Sequence, residues 1–293
     1  METEKIQLQQ ERDFGQIFNA SFAFLQQEIK PFCLCLLIFV VPIILILGIG
    51  FELIYSSMSK ISQIYSPGQD PGMAFNFLGK FLGQFSIIMI LALFAHSSLV
   101  ITVISYLKIY LKKNDSPTPG EIYKEILKNM FPVILAMIIG WIAIAISFIF
   151  CILPSIYMGV SLSLFLIVLI IEEGGIFNAF GRSFQLTHIQ WWWTFLILLV
   201  SLIMYYSIYT LLEVPAYIYG IKSVIENILQ KRNSLMPFNS TYIIYQSIVI
   251  SISYLIYAIP LLILGFQYFN LVEIRERPSL ESKIEEINQN ENV

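Results

Sequence analysis

Hydrophobic and polar positions along this chain segregate into long blocks. Six apolar blocks stand out: Phe32–Gly50, Phe85–Leu107, Phe131–Cys151, Ser155–Ile171, Trp193–Leu212 and Ile243–Phe266. Each is close to the roughly 20 residues a helix needs to cross a bilayer. The third and fourth form one apolar stretch from Phe131 to Ile171. As a single helix rising 1.5 Å per residue it would be about 60 Å long, twice the hydrocarbon core. It is therefore expected to turn at Cys151-Ile152-Leu153-Pro154, because proline suits the first turn of a new helix and damages the interior of an old one.

The polar stretches between blocks carry a second pattern. Phe14, Ile17, Phe18, Phe22, Leu25 and Ile29 share one helical face, and Arg12, Gln16, Asn19, Gln26 and Lys30 lie away from it. That spacing predicts an amphipathic helix of the kind that lies in the membrane interface. Ile176, Phe177, Phe180 and Phe184 against Asn178, Arg182 and Gln185 repeat the idea. A shorter, more charged version follows the breaker run Ser116-Pro117-Thr118-Pro119-Gly120. The three lead-ins open alike, as Gly15-Gln16-Ile17-Phe18, Gly120-Glu121-Ile122-Tyr123 and Gly174-Gly175-Ile176-Phe177. We read three parallel units, residues 11–113, 114–173 and 174–272, in one integral membrane domain of residues 1–273, with a charged tail over 274–293. The inverted repeats of several transporter folds are not the pattern here.

Composition agrees with a membrane chain. Of 293 residues, 57% are hydrophobic and 13% charged, against about 25% charged in a soluble protein. Mean hydropathy is +0.74. With six spans, 12 of the 17 Lys and Arg fall on the side of the amino terminus and 5 on the other. The positive-inside rule then predicts that both termini are cytoplasmic. Met1–Lys30 lacks the basic-then-apolar order of a secretory signal, so the first span is expected to target the chain itself. A net charge of −3 without a basic cluster gives nucleic acid no footprint.

Candidate chemistry is sparse. His96, followed by Ser97 and Ser98, is an ionisable group in the middle of the second span, a position that marks either a functional site or a hydrogen bond between helices. Ser201, Tyr205, Tyr206, Ser207, Tyr209 and Thr210 in the fifth span and Tyr245, Gln246, Ser251 and Ser253 in the sixth line a polar cavity or form part of an aromatic belt. His96, Ser97, Ser98, Tyr206 and Gln246 are the intramembrane polar candidates. Glu52 and Glu213 are expected at the outer ends of their spans, with Pro215 ending the helix behind Glu213. Arg182, with Trp191, Trp192 and Trp193 fixing depth, is the candidate for contact with lipid headgroups, and snorkelling is the competing reading. Ala136, Gly140, Ala143 and Ser147 in the third span, and Ser155, Gly159 and Ser163 in the fourth, are expected to bring those spans together. Ile221–Gln230 reads as a further interfacial helix, Ser56–Gly79 as a loop with two turns, and Ser279–Glu286 as a helical tail. Cys33 and Cys35 have no His or Cys partners elsewhere to complete a metal site. Neither Ser56–Gly79 nor Ile221–Gln230 holds a Ser-His-Asp set, a paired-carboxylate constellation or a phosphate loop. We expect no metal, no cofactor and no enzymatic activity.

Ala179, Arg182, Ser183 and Phe184 before Trp191-Trp192-Trp193, with Leu153-Pro154 and Asn270-Leu271-Val272-Glu273, resemble the bacterial integral-membrane family related to the membrane domain of glycerophosphodiester phosphodiesterases. In those phosphodiesterases a separate soluble barrel carries the chemistry, so the resemblance implies a membrane module and not a hydrolase. The expectation is an all-α polytopic protein of a bacterial inner membrane, with about six transmembrane helices in three hairpins, each preceded by a cytoplasmic interfacial amphipathic helix. Its expected partners are membrane lipids, other inner-membrane proteins or a second copy of itself. It would organise or sense lipids or partner proteins, or it would transport along a polar path near spans two, five and six.

Overall fold

The computed structural model describes residues 5–58, 71–229 and 240–280. Glu52 belongs to a described helix, but its side chain lies outside the described residues. So do Lys60, Lys231, Arg232, the turn at Ser66-Pro67-Gly68 and the tail beyond Leu280. Among the described residues the regular structure is entirely helical. The elements are α1 (Phe14–Phe39), α2 (Val41–Met58), α3 (Pro71–Lys113), α4 (Pro119–Phe150), α5 (Ile152–Leu162), α6 (Phe165–Glu172), α7 (Ile176–Ile189), α8 (Trp191–Leu229) and α9 (Ser240–Glu276). Six helical stretches are long and apolar enough to cross a membrane: Phe14–Phe39, Phe75–Lys113, Pro119–Phe150, Ile152–Glu172, Trp191–Glu226 and Ile244–Glu276. The chain is a multi-pass α-helical membrane protein.

Local chemistry sets the helix starts. Asp13 and Gln16 close a capping box on α1: the Asp13 carboxylate accepts from the Gln16 N–H at 2.8 Å, and the Gln16 side chain accepts from the Asp13 N–H at 3.0 Å. Thr118 opens α4, its N–H donating to Glu121 at 2.9 Å. Gly175 opens α7 at φ +82° and ψ 164°, where a side chain is strained. The turn between spans three and four falls at Cys151, which is extended and separates α4 from α5, with Pro154 in the first turn of α5.

The helices differ from the expected blocks in six places; two are the first block, Phe32–Gly50, which divides at Val40 between α1 and α2, and the expected loop Ser56–Gly79, of which Pro71–Gly79 opens α3 and Ser56–Met58 ends α2. The first lead-in does not stop at Pro31. α1 runs through that proline to Phe39, because Ile17, Ser21, Phe24, Glu28, Phe32 and Cys35 keep one buried seam at spacings of three or four. The second lead-in is likewise continuous with its span through Pro132 of α4, and only the third is a helix of its own, α7. Pro215 does not end the fifth span: α8 runs through it to Leu229, 39 residues and about 58 Å in all. Ile221–Leu229 is therefore the end of α8 and not a separate interfacial helix.

Two compact units emerge. One comprises Met1–Leu36, Ser97–Met204 and Ala258–Val293; the other comprises Leu37–His96 and Tyr205–Tyr257. Within the first, α4 packs on α5 and α6, and α7 packs on the same pair. Ala136 and Gly140 of the expected small-residue stripe are buried there, and a Cβ at Gly140 would rest 3.9 Å from Phe165. Gly159 faces open space instead. The core of this unit is aromatic: Phe24 meets Tyr110 and Phe266 edge-on at 4.9 and 5.7 Å, and Phe32 meets Tyr106 at 5.1 Å.

Candidate functional site

In the first unit several charged groups pair with one another. Arg182 of α7 donates through Nε to Glu172 at the end of α6, at 3.1 and 3.2 Å, and through Nη2 to Glu276 at the end of α9. Glu172 also accepts from the Tyr268 hydroxyl at 3.0 Å. Nearby in sequence, Glu173 takes ammonium donors from Lys108 and Lys128. Lys108, with 3% of its side chain exposed, also reaches Glu125 at 2.8 Å. The two lysines hold the Glu173 carboxyl down at about 2, Lys108 contributing most. Arg182, the candidate for headgroup contact, pairs with two carboxylates of its own chain.

The tryptophans divide. Trp191 is packed, stacking on Tyr157 and Phe195 at 5.6 Å each. Trp192 and Trp193 are 72% and 51% exposed, as is Phe177 of α7 at 84%. Trp193 also walls a cavity of about 400 Å³, along with Arg12, Asp13, Gln190, Gln267 and Asn270. A chain of amides floors it. The Arg12 N–H donates to Asn270 Oδ1 at 2.8 Å, Asn270 Nδ2 to Gln267 Oε1 at 3.2 Å, and Gln267 Nε2 to Thr194 Oγ1 at 2.9 Å.

A buried carboxylate lies deeper in the same unit. Glu28 is 6% exposed and accepts from the Tyr106 and Ser116 hydroxyls at 2.6 Å each. Ser97 and Ser98 are buried in this unit as well, and Ser97 donates to the Met137 sulfur at 3.3 Å.

The second unit holds His96, Tyr206 and Gln246, and it joins two of them to a row of tyrosines. The His96 ring lies 5.6 Å from that of Tyr257, which meets Tyr205 edge-on at 5.2 Å. Tyr205 stacks on Tyr209 at 6.3 Å, and Tyr209 is hydrogen-bonded to Glu213. Glu213 accepts from Gln246 at 3.1 Å, and Gln246 donates to Tyr242 at 3.0 Å. Tyr206 sits beside Tyr205 but is 58% exposed. Three of the hydroxyls expected to line a cavity turn back on their own helices: Thr210 donates to the Tyr206 carbonyl, Ser251 to that of Ser247 and Ser253 to that of Val249.

No relative was found. No family model matches the chain, and no curated protein or solved structure matches it either.

Sequence reasoning missed Glu213 as a buried group. It is 4% exposed, because α8 runs past Pro215 and keeps the carboxylate packed against α9. It also missed Glu28 and the pair Gln267–Asn270. A polar residue recurring on an otherwise apolar helical seam, as Glu28 does between Phe24 and Phe32, was the available signal.

Proposed function

We propose that this chain is a non-enzymatic, multi-pass protein of a bacterial inner membrane, with cytoplasmic termini, that organises or senses lipids at its lead-in helices. One observation carries this reading: Phe177, Trp192 and Trp193 are exposed aromatics at an end where α7 is fixed by Arg182 to the ends of α6 and α9. A rigid mount for aromatics beside basic residues suits the headgroup layer of a bilayer, where amphipathic rings partition. The resemblance to phosphodiesterase membrane domains and the threefold lead-in pattern belong to the same proposal. Native purification in mild detergent, followed by mass spectrometry of bound lipid and protein, tests it. An enriched lipid class or a stoichiometric membrane partner is expected, and recovery of neither would end the reading.

The tyrosine row favours a second reading, transport. It joins His96 to Glu213 and Gln246 within one unit. Buried carboxylates and histidines in membrane helices are typical of such paths. Flux of lipid or solute into reconstituted liposomes, with His96→Ala as control, decides between them. Flux equal to that of empty vesicles removes transport.

A further inference from the structure

We infer that the exposed face of α4 between Tyr123 and Phe131 holds an anionic phospholipid of the bilayer, with Lys124 on its phosphate. This rests on the headgroup reading and deepens it, naming the class of lipid and the residue that selects it.

Helical spacing sets the face. In the first turns of α4, Ile122, Ile126, Asn129 and Val133 share one side and are buried. Tyr123, Lys124, Leu127 and Phe131 lie on the other side and are exposed, Phe131 by 75%. The exposed row does not stop where the apolar block begins. Leu135, Ile138, Ile142, Ile146 and Ile149 continue it along the same helix at spacings of three and four. From Tyr123 to Ile149 the row measures about 39 Å, against a hydrocarbon core of about 30 Å. A lipid-facing row of that length reaches out of the acyl region into the headgroup layer. Tyr123 and Leu127 then meet lipid, and the Lys124 stem lies along the acyl boundary with its ammonium among the phosphates.

Charge decides the class of lipid. The two carboxylates of α4 and the one that closes α6 already hold lysines of the chain. Lys113 donates to Glu121, Lys108 to Glu125 at 2.8 Å and Lys128 to Glu173 at 2.6 Å. Glu121 also takes the Thr118 N–H, and Glu125 takes the Asn129 amide. Lys124 has no carboxylate partner among the described residues. Arg182 differs, because Glu172 and Glu276 balance its charge. An ammonium without a counter-ion at the interface attracts a lipid phosphate. A zwitterionic headgroup brings an ammonium of its own, which would find Lys124 beside it and the carboxylates of α4 taken. A headgroup whose only charge is the phosphate meets no such repulsion.

The test is a site-directed crosslink in the full chain, with Cys33, Cys35 and Cys151 replaced by serine. Leu127→Cys, carrying a benzophenone maleimide, is irradiated in vesicles of equal parts phosphatidylglycerol and phosphatidylcholine, and mass spectrometry identifies the lipid adducts. Phosphatidylglycerol adducts should exceed phosphatidylcholine adducts by about fivefold, the scale of one lysine at an anionic surface. Lys124→Gln, at an exposed position, should melt like the parent and bring the ratio to that of the bilayer, whereas Lys124→Arg should keep the enrichment. Ile142→Cys, further along the same exposed row, should report the bilayer ratio throughout. The inference fails if position 127 reports the bilayer ratio in the parent, if Lys124→Gln keeps the enrichment, or if Ile142→Cys shows it equally. Another lipid class or a membrane partner enriched in native preparations would leave the broader reading standing in that case.

Discussion

Glu173 occupies an unusual position for a carboxylate. Its backbone is left-handed at φ 55°, ending α6, and its side chain bridges Lys108 and Lys128. Hydrogen bonds from the two ammonium groups favour the charged carboxylate, so the carboxyl titrates at about 2. The linkage follows from that direction. The contribution of these pairs to stability is complete above the ordinary carboxylate range near pH 4.5 and is lost as pH falls toward 2. Carbon-detected NMR of the side chain should show this low midpoint, and Lys108→Met should move it upward; an ordinary midpoint in the parent would refute the bridging. Packing gives a second residue-level prediction. A Cβ at Gly265 would run into Leu107 Cδ1, and Leu107 is fully buried. Gly265→Ala should therefore cost about 1–3 kcal/mol by overpacking. Gly159→Ala, with open space around it, should be neutral or stabilising by up to about 1 kcal/mol. Melting midpoints of the two variants in detergent check the contrast. Arg182 was legible as a cation at the interface. Its partners were not, since Glu172 and Glu276 are 10 and 94 residues away and only folding brings them together.

At the scale of elements, the apolar blocks located five spans, and Cys151 turned where the length argument required, whereas the first block, Phe32–Gly50, is divided at Val40 between α1 and α2. Helix ends were harder to read because proline has two outcomes in a membrane. Pro31, Pro132, Pro215 and Pro260 all lie inside helices, where neighbours can meet the freed carbonyl. Pro42 and Pro154 instead lie in first turns. Local sequence distinguishes these cases poorly; the buried seam of α1 on both sides of Pro31 shows what overrides it. The start of α7 yields a sharper expectation. Gly175 has a backbone conformation (φ +82°, ψ 164°) that is nearly exclusive to glycine, whereas Gly174 has ordinary room for a Cβ 3.6 Å from that of Asn178. Gly175→Ala should destabilise by about 1–3 kcal/mol, and Gly174→Ala should change little. If the two variants unfold at the same temperature in a thermal shift assay, the cap geometry of α7 is wrong.

For the whole molecule, the decisive physical quantity is the distribution of charge along the spans. α3 ends in Lys112 and Lys113, α9 ends in Arg275, and each of these helices is long enough to cross a bilayer with residues to spare. Lys80 lies in the same helix as Lys112, 32 positions away, a rise of about 48 Å that exceeds the roughly 30 Å hydrocarbon core. Membrane-crossing of α3 must therefore place Lys80 and Lys112 on opposite faces, unless the helix lies in the plane. In the proposed topology, with the positive-inside bias, Lys112 is on the cytoplasmic side. The measurement is labelling of single cysteines by an impermeant maleimide, in a background where Cys33, Cys35 and Cys151 are replaced. Lys80→Cys should react in intact cells, whereas Lys112→Cys and Arg277→Cys should react only after the membrane is opened. The reverse pattern would invert the topology and move the cavity beside Trp193 to the outer leaflet. Equal reaction of Lys80→Cys and Lys112→Cys in intact cells would show that α3 does not cross at all.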